Sequence, residues 1–205
     1  MRRTLLLFLV LCLAPGVAGA SSKTVMVYGD SLSASYGVPQ EQGWVSLLAR
    51  RMQQEGLDYS VVNASVSGET TAGGLRRMDE ALKTHRPSLV VIELGANDGL
   101  RGQPLDAMRR NLQALIDASR RAGARVLLVG MRLPPNYGPA YTSGFHQTFI
   151  DLARANKIPV VPFLFQGFAE QRAYFQADLV HPTARAQPLM LDTVWASLKP
   201  LLGAK

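Results

Sequence analysis

LVVIEL, residues 89–94, followed at once by Gly95, reads as a strand buried on both faces. The run is short, rich in β-branched residues, and lacks the alternation that would leave one face to water. Four more runs read the same way: KTVMVY (23–28) before Gly29, YSVVNA (59–64), VLLV (126–129) before Gly130, and residues 160–163. Helical spacing fills the gaps. Trp44, Leu47, Leu48 and Met52 predict a helix over 44–55, stopped by Gly56. Leu75, Met78 and Leu82 predict another over 71–85, which ends ahead of Pro87. A long helix is expected over 105–122, with further ones over 145–156 and over 183–202, where Pro188 falls in the first turns. Strands apolar on both faces, alternating with helices, predict a single-domain three-layer α/β/α architecture around a five-stranded parallel sheet. No internal repeat, low-complexity tract or long linker divides the chain.

The rest of the composition agrees. Of 205 residues, 47% are apolar and 18% charged, enough to build a core and too little charge for a disordered chain. A single Cys excludes a disulfide scaffold. Lys and Arg outnumber Asp and Glu by 22 to 15, but the pairs Arg50-Arg51, Arg76-Arg77, Arg109-Arg110 and Arg120-Arg121 are spread over three helices without interleaved aromatics. They read as solvated helix faces, so no nucleic-acid partner is expected.

Residues 1–20 stand apart. Arg2-Arg3, an apolar run over 5–13 and Ala18-Gly19-Ala20 make the three-part pattern of a secretory signal peptide, too short to span a bilayer. The domain is therefore expected over 21–205, periplasmic or secreted. Cleavage near Ala20 removes two basic residues and the lone Cys12, leaving a mild positive surplus. No transmembrane segment is expected.

In a doubly wound sheet, ligands bind outside the carboxyl ends of the strands. The loop there after the first strand is Gly29-Asp30-Ser31-Leu32-Ser33. Ser31 is placed to present its hydroxyl and its N–H at that edge; read alone it serves equally as a helix N-cap. After the second strand, Gly68 in Ser67-Gly68-Glu69-Thr70 would let a carbonyl approach its N–H, or simply make a turn before a cap at Thr70. After the third, Asn97 offers an amide donor within what is also ordinary turn chemistry, Asn-Asp-Gly. Asp178 and His181, three apart before the last helix, can face the same way, or can cap a helix that starts at Pro182. A hydrolase needs a nucleophile, a base, an orienter and oxyanion donors, and one of each falls at the same end of one sheet.

The blocks GDSLS (29–33), SGET (67–70), GAND (95–98) and DLVH (178–181), in that order, resemble the SGNH, or GDSL, hydrolase superfamily. VVNASVSGETTAGGL (61–75), VVIELGANDGLRG (90–102), MRLPPNYG (131–138) and HPTARAQP (181–188) extend the similarity toward its bacterial periplasmic acyl-CoA thioesterase, lysophospholipase and arylesterase branch. The resemblance implies a flavodoxin-like fold with Ser31 as nucleophile, His181 as base and then acid, and Asp178 as its orienter. It also implies an oxyanion hole from the N–H groups of Ser31 and Gly68 and the Asn97 amide, with Asp30 shaping the turn. The Gly-x-Ser-x-Gly elbow of α/β-hydrolases is absent, as the resemblance requires.

The function expected is hydrolysis of acyl esters, thioesters or lysophospholipids through an acyl-enzyme, without metal or other cofactor, by a monomer. Leu133, Pro134 and Tyr137 are the candidate substrate-lining residues. A carbohydrate O-acetyl esterase is the alternative within the enzyme class, and a hydrolytically silent lipid- or sugar-binding protein the alternative outside it. His85, His146 and the glycosylation pattern Asn63-Ala64-Ser65 read as bystanders: His85 at a helix end, His146 at a helix start, and Asn63 buried at the end of a strand.

Overall fold

Strands form where the apolar runs predict them. In a computed structural model that describes residues 23–203, these are β1 (Lys23–Gly29), β2 (Tyr59–Asn63), β3 (Leu89–Glu93), β4 (Arg125–Val129) and β5 (Val160–Val161). The leader expected over residues 1–20 lies outside the described residues. All strands run parallel in the order β2-β1-β3-β4-β5. That order reverses beside β1, so the crevice a doubly wound sheet offers to ligands opens at its carboxyl end.

The helices are α1 (Trp44–Gln54), α2 (Thr71–His85), α3 (Ala96–Leu100), α4 (Leu105–Arg121), α5 (Pro139–Asn156) and α6 (Gln187–Leu202). α1 packs on α6 on one side of the sheet, and α2, α4 and α5 pack in sequence on the other. The central strands are buried throughout, with Val25 to Tyr28 and Leu89 to Ile92 excluded from solvent, so each inward Val, Leu or Ile contributes roughly 1.5–3 kcal/mol. The three layers and the five parallel strands are as expected.

Several details differ, each for a local reason. β5 stops at Val161 rather than 163 because Pro162 has no N–H for the ladder. β2 is an edge strand, half-exposed on both faces rather than buried. α5 begins at Pro139, where Gly138 at φ 84° turns the chain and Pro takes the first helical position. Its start was hidden by the polar and small residues over 140–144, which dilute the apolar period. α6 begins at Gln187, after a 3₁₀ turn over Ala184–Ala186. The Asn-Asp-Gly stretch is no simple turn: it forms α3. The Gly-rich stretch 71–77 is helical, and the Tyr28 hydroxyl donates to the Gly74 carbonyl at 2.7 Å.

Candidate active site

The last position of the first strand, Gly29, takes nothing larger than glycine. A Cβ there would lie 2.7 Å from Glu93 Oε2 and 2.9 Å from the Glu93 carbonyl oxygen. The chain then turns on Asp30, whose Oδ1 accepts from Leu32 N–H at 3.0 Å and whose carbonyl accepts from Ala34 N–H at 2.9 Å. This turn sets Ser31 at the carboxyl edge of the sheet.

A second turn brings its partner from 150 residues away. Asp178 Oδ1 accepts from the N–H groups of Val180 (2.9 Å) and His181 (3.0 Å), a wrapping that needs Leu179 at φ 58°. Asp178 Oδ2 lies 2.8 Å from His181 Nδ1, and His181 Nε2 lies 3.0 Å from Ser31 Oγ. A carboxylate can only accept, so Nδ1 carries the proton and Nε2 is left to accept from the Ser31 hydroxyl. The backbone N–H of His181 is the main cause that holds the Asp178 carboxyl down at about 2, aided by the imidazole and the Val180 N–H. The Tyr36 ring lies against the imidazole, centroids 4.3 Å apart.

Below the serine lies an acid pair that the sequence did not announce as such. Glu93, charged in the middle of an apolar strand, was the available signal. Its Oε2 accepts from Ser33 Oγ–H at 2.7 Å and faces Asp30 N–H at 3.5 Å. Burial pushes Asp30 up to about 7 and Glu93 well above the usual carboxylate range, and the like charge of Asp30 adds to the rise at Glu93. Both Asp30 oxygens accept N–H bonds, from Leu32 and from the Asn97 amide, whereas Glu93 bonds through Oε2 among the described residues.

This pair sets a pH dependence. An acid with a raised folded pKa holds its proton more tightly when folded, so its stability contribution is full below the unfolded value and is lost as pH rises. The melting temperature is expected to fall between about pH 4, the unfolded carboxylate value, and about pH 7, where Asp30 titrates. Asp178 acts oppositely and lower, adding stability as pH rises from about 2. Glu93→Gln keeps the shape and removes one acid, so thermal unfolding followed by circular dichroism should show a flatter slope from pH 4 to 7. An unchanged slope would refute the assignment.

Asn97 sits on α3 with its Nδ2 donating to Asp30 Oδ2 at 3.0 Å and to the Glu69 carbonyl at 3.1 Å. Both amide hydrogens are thus engaged. Gly68, at φ 78°, lies on the neighbouring loop and is tied to it by Arg101 Nη2, which donates to its carbonyl at 3.1 Å. The N–H groups of Ser31 and Gly68 make no hydrogen bond among the described residues. Asp98, also unforeseen, accepts from Thr71 N–H (2.8 Å) and Thr71 Oγ–H (2.6 Å), fastening α3 to the start of α2.

Ser31, Asn97 and His181 open onto a cavity of about 380 Å³, walled chiefly by Leu100, Met131, Leu133, Phe163, Phe165 and Phe175. Leu133 and Pro134 belong to its wall. Tyr137 does not: its hydroxyl donates to the Leu100 carbonyl at 2.9 Å and ties its own segment to α3. Phe165 and Phe175 lie in irregular segments, where no periodicity marks a side chain as inward, and Phe163 falls beyond the early end of β5.

The remaining candidates are elsewhere. His146 lies in the middle of α5, not at its start, with Nδ1 3.3 Å from the Met131 carbonyl. Asn63 is exposed rather than buried, because β2 is an edge. Among the arginine pairs, Arg77 is not a solvated side chain: it lies over the Tyr28 ring at 4.3 Å and pairs with Glu69 at 2.7 Å.

Against known proteins, residues 27–188 match the GDSL-like Lipase/Acylhydrolase family. The chain is 47% identical to "Esterase TesA" of Pseudomonas aeruginosa, over 98% of this chain and all of that one. It is 37% identical to "Thioesterase 1/protease 1/lysophospholipase L1" of Escherichia coli K12, over 90% of this chain and 87% of that one. A crystal structure of TesA superimposes with a TM-score of 0.85 at 48% identity, covering 87% of this chain and 99% of the other.

Proposed function

The chain belongs to the GDSL-like lipase/acylhydrolase family and is an ester hydrolase, and from that premise we propose that it cleaves carboxylic esters and thioesters of acyl chains through an acyl-enzyme on Ser31. The observation that carries this reading is the hydrogen-bond chain from Asp178 through His181 to Ser31 at the mouth of an apolar cavity. His181 Nε2 takes the Ser31 proton as Oγ attacks the carbonyl carbon. The tetrahedral oxyanion is held by the N–H groups of Ser31 and Gly68 and by the Asn97 amide. His181 then gives the proton to the departing alkoxide or thiolate. A water deprotonated by the same imidazole releases the acid and restores Ser31.

The cavity favours acyl chains over acetylated sugars, because its walls are aliphatic and aromatic and it offers few groups to satisfy sugar hydroxyls. The protein works outside the cytoplasm, a reading supported by the three-part pattern of residues 1–20. Among the described residues, no helix is long and apolar enough to cross a membrane.

The test is turnover of p-nitrophenyl esters of increasing acyl length, together with trapping by a reactive alkyl phosphonate. Hydrolysis that improves with chain length, and a single adduct on the peptide carrying Ser31, are expected. An adduct elsewhere, or activity that persists when Ser31 is blocked, would sink the mechanism. The intact mass of the same preparation reads whether residues 1–20 have been removed.

A further inference from the structure

Among the described residues, the large apolar side chains left exposed are Tyr36, Val66, Leu179 and Val180, and none is scattered at random. All sit on loops at the carboxyl end of the sheet, and three of them surround one imidazole. Leu179 and Val180 directly precede His181 and line the cavity, while Tyr36 lies against the His181 ring. Leu179 is 55% exposed and Tyr36 51%, the most open of the set.

Leu179 is disfavoured twice where it stands. It is exposed to water, and its φ of 58° is a conformation that suits Gly or Asn and strains a Leu. A Leu held against both costs is explained by contact with something apolar. An exposed guanidinium stands at the same mouth: Arg132 lies in the cavity wall, 5.0 Å from the Phe163 ring centroid. Apolar tips with a cation beside them match the boundary between acyl chains and anionic headgroups. Delivery from such a surface would bring an acyl chain into the cavity without crossing water.

We infer that Tyr36, Leu179 and Val180 form a docking rim that seats the cavity mouth on an anionic phospholipid surface. The inference rests on the acyl-ester reading above and adds the place from which the enzyme draws its substrate.

The test is co-sedimentation with phospholipid vesicles, with or without phosphatidylglycerol. It uses the purified protein carrying Ser31→Ala, so that no lipid is consumed. The comparison protein adds Leu179→Asn and Val180→Thr. Asn accepts the left-handed backbone and Thr keeps the shape of Val, so the turn survives while the apolar contact is lost; both proteins share one N-terminus. Binding to the anionic vesicles is expected, weaker at high salt and at least about tenfold weaker in the comparison protein, since inserting a single Leu-sized side chain is worth about that factor. Equal binding by the two proteins, or no binding by either, overturns the rim. So does a concentration-dependent dimer that the substitutions dissolve, because the rim would then cover a second copy. Hydrolysis of a water-soluble acetate ester by the wild type, run alongside, separates the two readings. Activity without vesicle binding overturns the docking surface alone. Rim-dependent vesicle binding without activity leaves the surface standing and overturns the hydrolase assignment.

Discussion

Replacing Ser31 by Ala is expected to lower kcat by about six orders of magnitude, with the fold and KM little changed. Its Oγ is the atom that faces His181 Nε2, at 3.0 Å, on the cavity side of the sheet. The next hydroxyl along the loop, Ser33, cannot stand in, because it is buried and its Oγ is bonded to Glu93 at 2.7 Å. Any residual rate would come from binding and the oxyanion donors acting on water, which in serine hydrolases leaves about 10³–10⁴ over the uncatalysed reaction. Steady-state turnover of a p-nitrophenyl ester measures this directly. A loss of less than about tenfold would mean that the nucleophile is another group.

Asp178→Asn is expected to cost about four orders of magnitude in kcat, although it changes a side chain that is 42% exposed. Exposure weakens the charge of a carboxylate but leaves its hydrogen-bond sense intact. In the wild type, Asp178 Oδ2 can only accept, and so places the imidazole proton on Nδ1. The Asn oxygen takes over the role of Oδ1, which accepts from the backbone N–H groups of Val180 and His181. Its NH₂ then faces Nδ1 and favours the opposite tautomer. With the proton on Nε2, His181 meets the Ser31 hydroxyl as a donor and cannot take its proton. Turnover read against pH decides the matter: a drop below about tenfold across the pH range would show that Asp178 orients the ring only as a turn former.

Asp30, the acid of the Ser31 loop, stands apart from Asp178 in its contacts. Among the described residues the Asp30 carboxylate is hydrogen-bonded to neither Ser31 Oγ nor His181; it accepts from Leu32 and Asn97. Its weight falls on the position of the Asn97 amide and, with Glu93, on the pH dependence of stability.

Much of this molecule is written locally. Runs such as KTVMVY and LVVIEL have no polar face, so they form central strands wherever the chain places them, and the glycines and prolines that follow mark their ends. The alternation with helices then leaves a parallel sheet, and the segments beyond the carboxyl ends of its strands carry Ser31, Gly68 and Asn97. The resemblance to a hydrolase superfamily added the roles of those residues; spacing alone left each of them open to a capping or turn reading.

What the chain could not declare locally is proximity and exposure. Ser31 and His181 are 150 residues apart and meet only because β1 and the turn before α6 share one edge of the sheet. The phenylalanines of the cavity wall lie in segments without period, and their direction follows from how the chain turns at Pro162 and beyond. Glu93 looks like a charge misplaced in a strand until Asp30 and Ser33 fold beside it. Leu179 and Val180 look like core residues by type, yet stand in solvent. Periodicity records which face of an element is apolar, whereas burial, pKa and the distance between remote side chains depend on which elements pack together, and that is a property of the whole fold.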